Sequence, residues 1–408
     1  MLRQMEGSQA VAEAVALCRP EVICAYPISP QTHIVEGLSR LVKSGALAPC
    51  EYVNVESEFA AMSVAIGASA AGARAYTATS SQGLLYMTEA VYNAGGLGLP
   101  IVMTVANRAL GAPINIWNDH SDAMSQRDAG WLQLYAEDNQ EAVDLHIQAF
   151  RIAEELSLPV MVCMDGFVLT HAYERVDLPE QRQVDDFLPP FAPRQVLDPN
   201  DPVSIGAMVG PEAFTEVRYL AHRRHLRALE VIPRVAGEFA DAFGRESGGL
   251  VRPYRLDDAD TAIVAMGSVL GTLKDVVDER RGHGERVGVL GITAFRPFPF
   301  AEVRRALRGV RRVVVLERTL SVGVGGVVTD HVRAALDGAM RETSAANGAA
   351  PYLWTVIAGL GGRPITTASL HEMIDRAVTE RLEPLTFLDL RRDLVEREAH
   401  RERAAERV

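Results

Sequence analysis

The sequence contains little cysteine, and its cysteines are not arranged for metal binding. Only four occur among 408 residues, and no two of them form a CxxC pair. Zinc sites and iron–sulfur clusters use closely spaced cysteine thiolates, and small secreted domains use paired cysteines. We therefore expect no structural zinc site, no iron–sulfur cluster bound by this chain alone and no disulfide framework. The four residues are Cys18, Cys24, Cys50 and Cys163.

Positive charge and unbroken apolar segments are also scarce. Lys and Arg number 41 against 53 Asp and Glu, so the formal net charge is −12, and no basic block is present. This balance argues against a nucleic-acid-binding surface. The N-terminal segment carries charges where a signal peptide has its apolar core, and the uncharged stretch 90–107 is interrupted by glycines and Pro100, unlike a membrane-spanning helix. We expect a cytoplasmic protein without a nucleic-acid or membrane partner.

Two common catalytic motifs are missing as well. The absence of GxxxxGK[ST] excludes nucleotide hydrolysis by a P-loop, and no GxSxG nucleophile elbow occurs. The glycines at 323, 325 and 326 resemble a phosphate-binding loop but lack the full dinucleotide pattern. The segment 118–122 (NDHSD) has metal-ligand residue types, yet its members are too close in sequence to surround an ion, which favours a hydrogen-bonded turn. We predict no metal site in this chain.

The first half of the sequence alternates short apolar runs with helical patterns. This alternation predicts βαβ units and a mainly parallel sheet covered on both faces, so the expected fold class is α/β. Ligands of such sheets bind beyond the carboxyl ends of the strands, which directs attention to the loops after Tyr26, Val55, Thr79 and Ala106. The predicted strands are 21–26, 51–55, 75–79, 101–106 and 159–164. The predicted helices are 9–18 (capped by Ser8), 34–41, 58–71, 83–94 and 141–156, with a loop over 107–130.

The second half repeats the pattern after a polar connection. Residues 194–202 are typical of a connector, and 211–246 form a helix-rich, charged segment that we interpret as a solvated bridge. A second α/β unit follows, with predicted strands at 261–266, 287–290, 312–316 and 354–357. These patterns divide the chain into a first domain with a helical extension (1–235), a linker (236–258), a second domain (259–390) and a charged helical tail (391–408).

Three side chains near predicted strand ends could carry chemistry. Glu58 begins an apolar, small-residue helix; it could cap that helix, or face a heterocyclic nitrogen in an apolar cleft and exchange a proton with it. Arg108 follows a strand and could hold a carboxylate through two parallel hydrogen bonds, or form a surface ion pair. Ser29 lies between Pro27 and Pro30, whose rigidity suits an accurately placed hydroxyl, although serine is also common in ordinary turns.

Several segments, in order along nearly the whole chain, resemble the alpha subunit of the 2-oxoacid:ferredoxin oxidoreductases, whose type member acts on pyruvate. The family's YPITP loop corresponds to YPISPQT here, with Ser29 in place of the threonine. Asn118 replaces the glycine that usually precedes DHSD. The other matching segments are ESEFAA, ATSSQGLLYMTE, VANRALGAP, AIVAMGS, FRPFPF, LERTLSVGVGG and GLGGRPIT.

The resemblance implies a thiamine diphosphate (TPP) pyrimidine-binding domain followed by a transketolase C-terminal-like domain. It also implies oxidative decarboxylation of a 2-oxoacid such as pyruvate, with the acyl group passing to coenzyme A and the electrons to ferredoxin. By the same resemblance Glu58, Arg108 and Ser29 are catalytic: Glu58 bonds the aminopyrimidine ring nitrogen, and the other two bind the substrate. The remaining residues implied to contact the cofactor are Pro27, Ile28, Ser81 and Gln82.

A motif of TPP enzymes is absent, and this points to partner subunits. The sequence lacks GDG with a following Asn-Asn, the pattern that binds Mg and diphosphate; Asp165-Gly166 is the nearest fragment. The resemblance therefore implies a beta subunit that supplies the diphosphate half-site and its Mg ion. It further implies gamma and ferredoxin-like delta subunits that hold the [4Fe-4S] clusters. The isolated chain should show no turnover.

Alternatives remain open from the sequence. The same chemistry could act on a branched-chain, aryl or longer 2-oxoacid such as phenylglyoxylate, with NAD as final acceptor through a flavin subunit. The Ser29 loop and residues 111–117, including Trp117, would then set the choice, unless Trp117 only packs. Oxalate is disfavoured because no additional cation lies near the Ser29 loop. A non-catalytic scaffold is the other alternative, and the presence of Glu58 and Arg108 speaks against it.

Overall fold

The computed structural model describes residues 2–342 and 351–405, which form two α/β units in contact. The strands are β1 (Leu2–Glu6), β2 (Val22–Ala25), β3 (Glu51–Asn54), β4 (Ala75–Thr79), β5 (Val102–Asn107), β6 (Leu132–Tyr135), β7 (Val160–Asp165), β8 (Tyr173–Asp177), β9 (Val251–Tyr254), β10 (Thr261–Ala265), β11 (Val287–Ile292), β12 (Ala294–Arg296), β13 (Arg312–Glu317), β14 (Tyr352–Ile357) and β15 (Leu385–Phe387).

Helices connect and cover these strands. They are α1 (Gly7–Leu17), α2 (Thr32–Lys43), α3 (Glu58–Ala70), α4 (Ser81–Tyr86), α5 (Thr88–Leu97), α6 (Ser121–Ser125), α7 (Asn139–Leu156), α8 (Gln181–Phe187), α9 (Phe214–Phe243), α10 (Val269–Gly282), α11 (Phe300–Ala306), α12 (Val327–Glu342), α13 (Thr367–Val378) and α14 (Arg392–Ala405).

Each unit is built on one mainly parallel sheet, which confirms the predicted α/β fold class. The first sheet has the order β12-β6-β7-β5-β4-β2-β3, and every pair is parallel except β12 with β6. The second has the order β15-β14-β13-β10-β11-β9, with only β9 antiparallel. A separate antiparallel ribbon pairs β1 with β8. The carboxyl ends of β2, β4 and β5 are therefore neighbours.

The apolar cores follow the alternation of side chains along the strands. In β2, Ile23 packs into a cluster on one face of the first sheet and Cys24 into a cluster on the other, because successive strand residues point to opposite faces. The second of these clusters continues into the other unit and includes Val264 of β10. Ile263 belongs to a third cluster on the far face of the second sheet. The two units therefore share one continuous apolar core.

The segment predicted as a solvated bridge is only partly solvated. It forms the single 30-residue helix α9, whose carboxyl-terminal half packs on α7. Three of the side chains it buries are Val231, Val235 and Phe239. The high charge of the segment hid an apolar stripe that lies on one face of the helix.

Several local predictions also need correction. Ser8 does not cap α1 but lies inside it, and its hydroxyl donates to the backbone oxygen of Thr170 at 2.8 Å. The single helix predicted over 83–94 is interrupted near Met87, where α4 ends and α5 begins. The predicted loop over 107–130 contains α6. Six strands were not predicted. One of them, β6, lies inside the first sheet, and the other five lie at sheet edges or in the ribbon. The six are β1, β6, β8, β9, β12 and β15.

The proposed domain limits cross some of these elements. Within the stretch predicted as a linker, 236–258, α9 continues to Phe243 and β9 pairs with β11 of the second sheet. The charged tail forms α14, and its last three positions, 406–408, lie outside the described residues. The division into 1–235, 236–258, 259–390 and 391–408 stays a prediction. In the described ranges we find no helix with the combination of length and apolar character that crossing a bilayer requires.

Candidate active site

Glu58 lies at the start of α3 as a buried carboxylate without a protein partner. It is 8% exposed. The cap of α3 is Ser57, whose hydroxyl accepts a hydrogen bond from the backbone N–H of Ala60 at 3.2 Å. The Glu58 carboxylate itself makes no hydrogen bond or ion pair with residues 2–342 or 351–405. The structure thus assigns the capping role to Ser57, and Glu58 is left free to meet a ligand.

A glycine gives the Glu58 carboxylate its space. A Cβ atom on Gly83 would lie 2.7 Å from Glu58 Oε1 and 2.6 Å from Thr79 Oγ1, so no side chain fits at this position without displacing them. The Thr79 hydroxyl is buried and also lacks a hydrogen-bond partner in the described part of the chain. Gly83 therefore lies between the carboxyl end of β4 and the amino-terminal end of α3, and its lack of a side chain leaves room there.

Arg108 and Ser29 come together from the ends of β5 and β2, the two strands that flank β4. Arg108 Nη1 donates to the backbone oxygen of Ser29 at 2.9 Å, and Nε donates to the backbone oxygen of Asn115 at 3.1 Å. Partial burial lowers the pKa of Arg108, while the Asp122 carboxylate acts in the opposite direction. Backbone carbonyl oxygens therefore hold the guanidinium, and not the surface ion pair that was the alternative interpretation of Arg108. Its Nη2 nitrogen has no protein acceptor in the described part of the chain.

Asp122 joins the loops after β4 and β5, and the sequence did not predict it as a site residue. Its carboxylate is fully buried and accepts from the backbone N–H groups of Ser81 at 3.0 Å and Arg108 at 2.9 Å. It also accepts from the side chain of Asn107 at 2.8 Å and from the backbone of Ala123 at 2.7 Å. Burial raises the pKa of Asp122 to about 6, although the four hydrogen bonds favour its ionised form. Asp122 thereby fixes where Arg108 leaves the sheet.

The remaining candidate cofactor residues lie on the same edge of the sheet. Ser81 is buried and donates to the backbone oxygen of Ala109 at 2.6 Å. The amide of Gln82 lies against the backbone of Gly111, since a Cβ there would be 2.7 Å from Gln82 Nε2. This contact places Gln82 beside the loop that follows Arg108.

The loop with Pro27 and Ile28 is positioned by a residue that the sequence did not reveal. Pro27 is exposed and Ile28 is half-buried. The buried Gln31 side chain accepts from the backbone N–H of Ile28 at 3.3 Å and donates to the backbone oxygen of Ala78 at 2.6 Å. Gln31 therefore ties the end of β2 to β4. An amide that bridges two strand ends has no local signal, because its partners are distant in sequence.

The Asp165-Gly166 fragment has a structural place between the two units. Asp165 is buried and bonds His120 Nε2 at 2.7 Å, the backbone N–H of Ser268 at 3.0 Å and the Arg318 guanidinium at 2.5 Å. Burial opposes ionisation, but Arg318 and His120 outweigh it and hold the pKa of Asp165 well below its usual range. His120 and Asp165 belong to the first unit, and Ser268 and Arg318 to the second.

The turn over 118–122 is held by hydrogen bonds, as the sequence suggested. The Asp119 carboxylate accepts from the backbone N–H of Ser121 and from that of Gly361 in the second unit, at 3.0 and 3.1 Å. With its amide oxygen turned toward Arg318, Asn118 accepts from both terminal nitrogens of that guanidinium at 3.0 and 3.2 Å. The residue that replaces the family's glycine therefore takes part in the contact between the units.

The glycine loop of the second unit does not form a phosphate cradle. Helix α12 begins after these glycines, and its free N–H groups at Val327, Val328 and Thr329 all donate to the buried carboxylate of Glu317 at 2.8 Å. An anion bound at this helix end would have to displace a carboxylate of the chain itself. The sequence provided only weak evidence for a phosphate-binding loop here, and the contacts of Glu317 agree with that judgement.

Apolar side chains are exposed around the candidate site. They come from the end of β2, the first turn of α3, α4, α5 and the loop after Arg108. Groups of exposed apolar side chains are typical of interaction sites. The side chains are Tyr26, Phe59, Leu85, Tyr86, Tyr92, Ile114, Ile116 and Trp117.

These features fit one half of a TPP site. An aminopyrimidine presents ring nitrogens and an exocyclic amine, and it needs a carboxylate in an apolar setting. The unpartnered Glu58 carboxylate beside Gly83 provides that setting. The GDG pattern that would bind the diphosphate half of the cofactor is absent from the sequence.

Comparisons with known proteins give the family. The model for pyruvate flavodoxin/ferredoxin oxidoreductase, thiamine diphosphate-binding, matches residues 13–236. The model for pyruvate:ferredoxin oxidoreductase core domain II matches 259–370. The chain is 49% identical over 399 residues to pyruvate synthase subunit PorA of Methanosarcina barkeri, covering 96% of this chain and 97% of that one. It is 41% identical over 372 residues to ketoisovalerate oxidoreductase subunit VorA of Pyrococcus abyssi, covering 91% and 92%.

Solved structures show the same fold. A 2-oxoglutarate:ferredoxin oxidoreductase from Magnetococcus marinus superposes with a TM-score of 0.67 at 20% identity, covering 94% of this chain and 65% of that one. A split-gene transketolase superposes with a TM-score of 0.53 at 14% identity, covering 93% and 100%. The resemblance that the sequence motifs carried is confirmed. The chain belongs to the pyruvate flavodoxin/ferredoxin oxidoreductase family, as an alpha-type subunit of a thiamine-diphosphate-dependent 2-oxoacid oxidoreductase.

Proposed function

We propose that this chain provides the pyrimidine half of a TPP site in a complex that decarboxylates a 2-oxoacid oxidatively and transfers the acyl group to coenzyme A. The observation that carries the proposal is the buried Glu58 carboxylate, which has no partner among the described residues. A buried, unpaired carboxylate costs several kcal/mol, so a chain that keeps one supplies it to a ligand. The family and the cleft at the strand ends agree with that ligand being TPP.

Each candidate residue has a separate role in this proposal. Glu58 holds a proton between its carboxylate and a pyrimidine ring nitrogen, and Gly83 leaves the room for the ring edge. Arg108 binds the substrate carboxylate through Nη2, while its other nitrogens stay on the oxygens of Ser29 and Asn115. The Ser29 hydroxyl lies beside the substrate, and Pro27, Ile28, Ser81 and Gln82 border the cofactor. Bound TPP supplies the nucleophilic carbon that attacks the 2-oxoacid.

We propose further that a beta subunit completes the cofactor site. The exposed apolar side chains around Glu58, among them Tyr86 and Trp117, would become buried against it. That subunit would hold the diphosphate and its Mg ion, and gamma and delta subunits would hold the [4Fe-4S] clusters and deliver electrons to ferredoxin. A complex of this kind would work in the cytoplasm, and the isolated alpha chain would have no turnover.

Pyruvate is the substrate that we propose for the complex. The relatives with the higher identities are pyruvate synthase subunits, at 42–49%, and a ketoisovalerate oxidoreductase subunit follows at 41%. The narrow difference leaves branched-chain substrates as the second candidate. Ser29 favours that candidate, because serine in place of threonine leaves one methyl group more room beside the substrate. As an alternative to ferredoxin, a flavin subunit would take the electrons from the iron–sulfur clusters and pass them to NAD.

The test is Glu58→Gln in the reconstituted complex. Glutamine keeps the size of the side chain but cannot exchange a proton as a carboxylate does, so pyruvate-dependent reduction of a viologen dye should fall by at least about 100-fold. Glu56→Gln, an exposed glutamate two positions earlier, is the matched control and should retain activity. Rates near wild type for Glu58→Gln would contradict the proposal, as would full activity in the complex without TPP.

A further inference from the structure

A group of metal-ligand side chains lies outside the residues assigned to TPP and substrate. Glu6 ends β1, His33 lies in the first turn of α2, and His171 lies in the turn between β7 and β8. One ligand atom from each of the three comes within 4.8 Å of the others. Residues from three separate parts of the sequence therefore meet at one point on the surface.

Hydrogen bonds hold both imidazoles with the same nitrogen free. His33 Nδ1 bonds Glu6 Oε1 at 2.6 Å, and His171 Nδ1 bonds Thr170 Oγ1 at 2.8 Å. Neither Nε2 atom has a partner in the described part of the chain. Metal-binding histidines typically engage one ring nitrogen with a nearby oxygen, which fixes the ring and leaves the other nitrogen for the ion. His171 fits this pattern through Thr170, whereas the hydrogen bond between His33 Nδ1 and Glu6 joins two atoms that are both of metal-ligand type. Thr170 is itself fixed, because its hydroxyl accepts the backbone N–H of Phe167 at 2.8 Å.

A surface ion pair between Glu6 and His33 does not explain why His171 lies beside them. A single carboxylate, Glu6, already satisfies His33, yet the ring of His171 lies 4.7 Å from that of His33 with only 34° between their planes. Phe167 contacts the other side of His171 at the same ring distance and keeps it there. The His171 ring therefore has a packing partner on each side, and its Nδ1 is engaged by Thr170.

We propose that Glu6, His33 and His171 form a site for a divalent transition-metal ion such as Zn²⁺, which would replace the hydrogen bond between Glu6 Oε1 and His33 Nδ1. Two imidazole nitrogens and one carboxylate oxygen suit Zn²⁺ and its neighbours in the first transition row better than Ca²⁺ or Mg²⁺, which prefer all-oxygen sites. Water would occupy the remaining positions, since His33 is exposed to solvent. The ion would connect β1, α2 and the turn after β7, and so fix the start of α2 just after the Ser29 loop. This site is independent of the proposed TPP chemistry.

Zinc titration of the full-length chain, freed of metal with a chelator, tests the proposal. Calorimetry should show one Zn²⁺ per chain, and Co²⁺ should give visible d–d bands of the intensity typical of four or five ligands. His33→Gln and His171→Gln should each weaken binding by more than about tenfold, since even partners of metal ligands have effects of that size. His283→Gln is the matched control, because His283 is exposed and lies in the second unit.

A second measurement does not depend on variants. In the wild-type chain, Zn²⁺ should protect His33 and His171, but not His283, from modification by diethyl pyrocarbonate, as read by peptide mass spectrometry. Equal modification with and without Zn²⁺ would overturn the proposal. So would a chain that binds no Zn²⁺, or His33→Gln and His171→Gln variants that bind it as tightly as wild type.

Discussion

At the scale of single residues, the candidate site is defined by what Glu58 does not contact. Its helix is capped by Ser57, so the carboxylate contributes to helix stability only through the dipole. Isolation in a mostly buried position is unfavourable by itself. A residue of this kind becomes favourable when a ligand donates a hydrogen bond to it, which links the unusual local energetics to cofactor binding.

The close approach at Gly83 leads to a prediction. Gly83→Ala would place a methyl group 2.7 Å from Glu58 Oε1 and 2.9 Å from its Cγ, and the carboxylate would have to move. A displacement of about 1 Å can lower a rate by about 100-fold, so we expect a loss of that size in pyruvate-dependent dye reduction by the complex, together with weaker TPP binding.

Gly67→Ala provides the comparison for Gly83→Ala. Gly67 lies in α3 with Glu58, and a Cβ there meets nothing within 4 Å. Alanine in a helix interior is favourable over glycine by about 0.5–1 kcal/mol, so this variant should keep its activity. Similar activities for the two variants would show that the space at Gly83 is not needed.

Ser29 leads to a prediction about substrate size. Its backbone oxygen is bonded to Arg108, so its side chain lies beside the guanidinium proposed to hold the substrate carboxylate. Ser29→Thr adds one methyl group, and one methyl in a pocket changes discrimination by about 10-fold or more. We expect the ratio of kcat/KM for 2-oxoisovalerate to that for pyruvate to fall by about 10-fold. Ser44→Thr, on the exposed end of α2, should leave the ratio unchanged. An unchanged ratio for Ser29→Thr would remove Ser29 from the substrate pocket.

At the scale of elements, the ends of β2, β4 and β5 do most of the positioning. Parallel pairing places these three ends side by side, and Asp122 and Gln31 then tie the following loops together with buried hydrogen bonds. Loops anchored in this way can hold Arg108 and Ser81 with little freedom. The site is therefore rigid because of the sheet edge on which it is built.

The start of α12 provides a prediction about an element that the proposed chemistry does not use. Glu317→Gln would keep one acceptor oxygen but turn an amide N–H₂ toward backbone N–H donors, so one or more of these bonds is lost. Hydrogen bonds to charged groups contribute about 1.5–3 kcal/mol each, and we expect the free energy of unfolding to fall by about 2–3 kcal/mol in urea. KM for pyruvate should not change.

Exposed Glu372→Gln on α13 is the control for the Glu317 experiment and should be neutral. A phosphate-binding glycine loop would behave differently, because inorganic phosphate would then stabilise the wild-type chain and Glu317→Gln would strengthen that effect. Such a result would contradict the capping role of Glu317.

At the scale of the whole molecule, the two units are joined by a shared apolar core, by β12 and by a buried charged cluster. Strand β12 follows β11 of the second sheet but adds to the edge of the first, beside β6. Asp165, His120 and Arg318 then connect the strand-end loops of the two units. The units are therefore held in one relative orientation, and the loop over 118–122 lies between them.

Asp165 leads to a prediction about stability and pH. Its folded-state pKa lies below the ordinary value of 3.8, so the ionised group stabilises the fold above about pH 4, and this contribution is lost as the pH falls toward the folded pKa. Asp165→Asn should lower the free energy of unfolding by about 3–5 kcal/mol at pH 7, because Arg318 is left buried without its partner. The difference from wild type should stay constant between pH 7 and 5 and shrink below pH 4.

The Asp185–Arg19 pair provides the comparison for Asp165, because both of its members are exposed. Asp185→Asn should change the unfolding free energy by less than about 1 kcal/mol. Equal effects of the two substitutions in denaturant titrations would show that the buried cluster does not join the units.

Much of the fold followed from local patterns. Strands β2, β4, β5, β7, β10, β11, β13 and β14 were predicted from short apolar runs, because a strand buried on both faces has that pattern by itself. The edge strand β3 was also predicted, although it is only partly buried. Short edge strands such as β9 and β15 escaped, since they are half-exposed and are stabilised by pairing with distant residues. The burial of one face of α9 depends likewise on α7, more than 70 positions earlier.

The sequence alone determined the α/β class, the strand-end loops and the family, and it drew attention to Glu58, Arg108 and Ser29, because motifs and periodicity are properties of neighbouring residues. Tertiary structure alone revealed that Glu58 has no partner in the part of the chain that the structure describes. It also revealed that Asp122 and Gln31 position the loops and that Asp165 joins the units. These features are distances between residues far apart in the chain. Such distances exist only once parallel pairing has brought the strand ends to one edge.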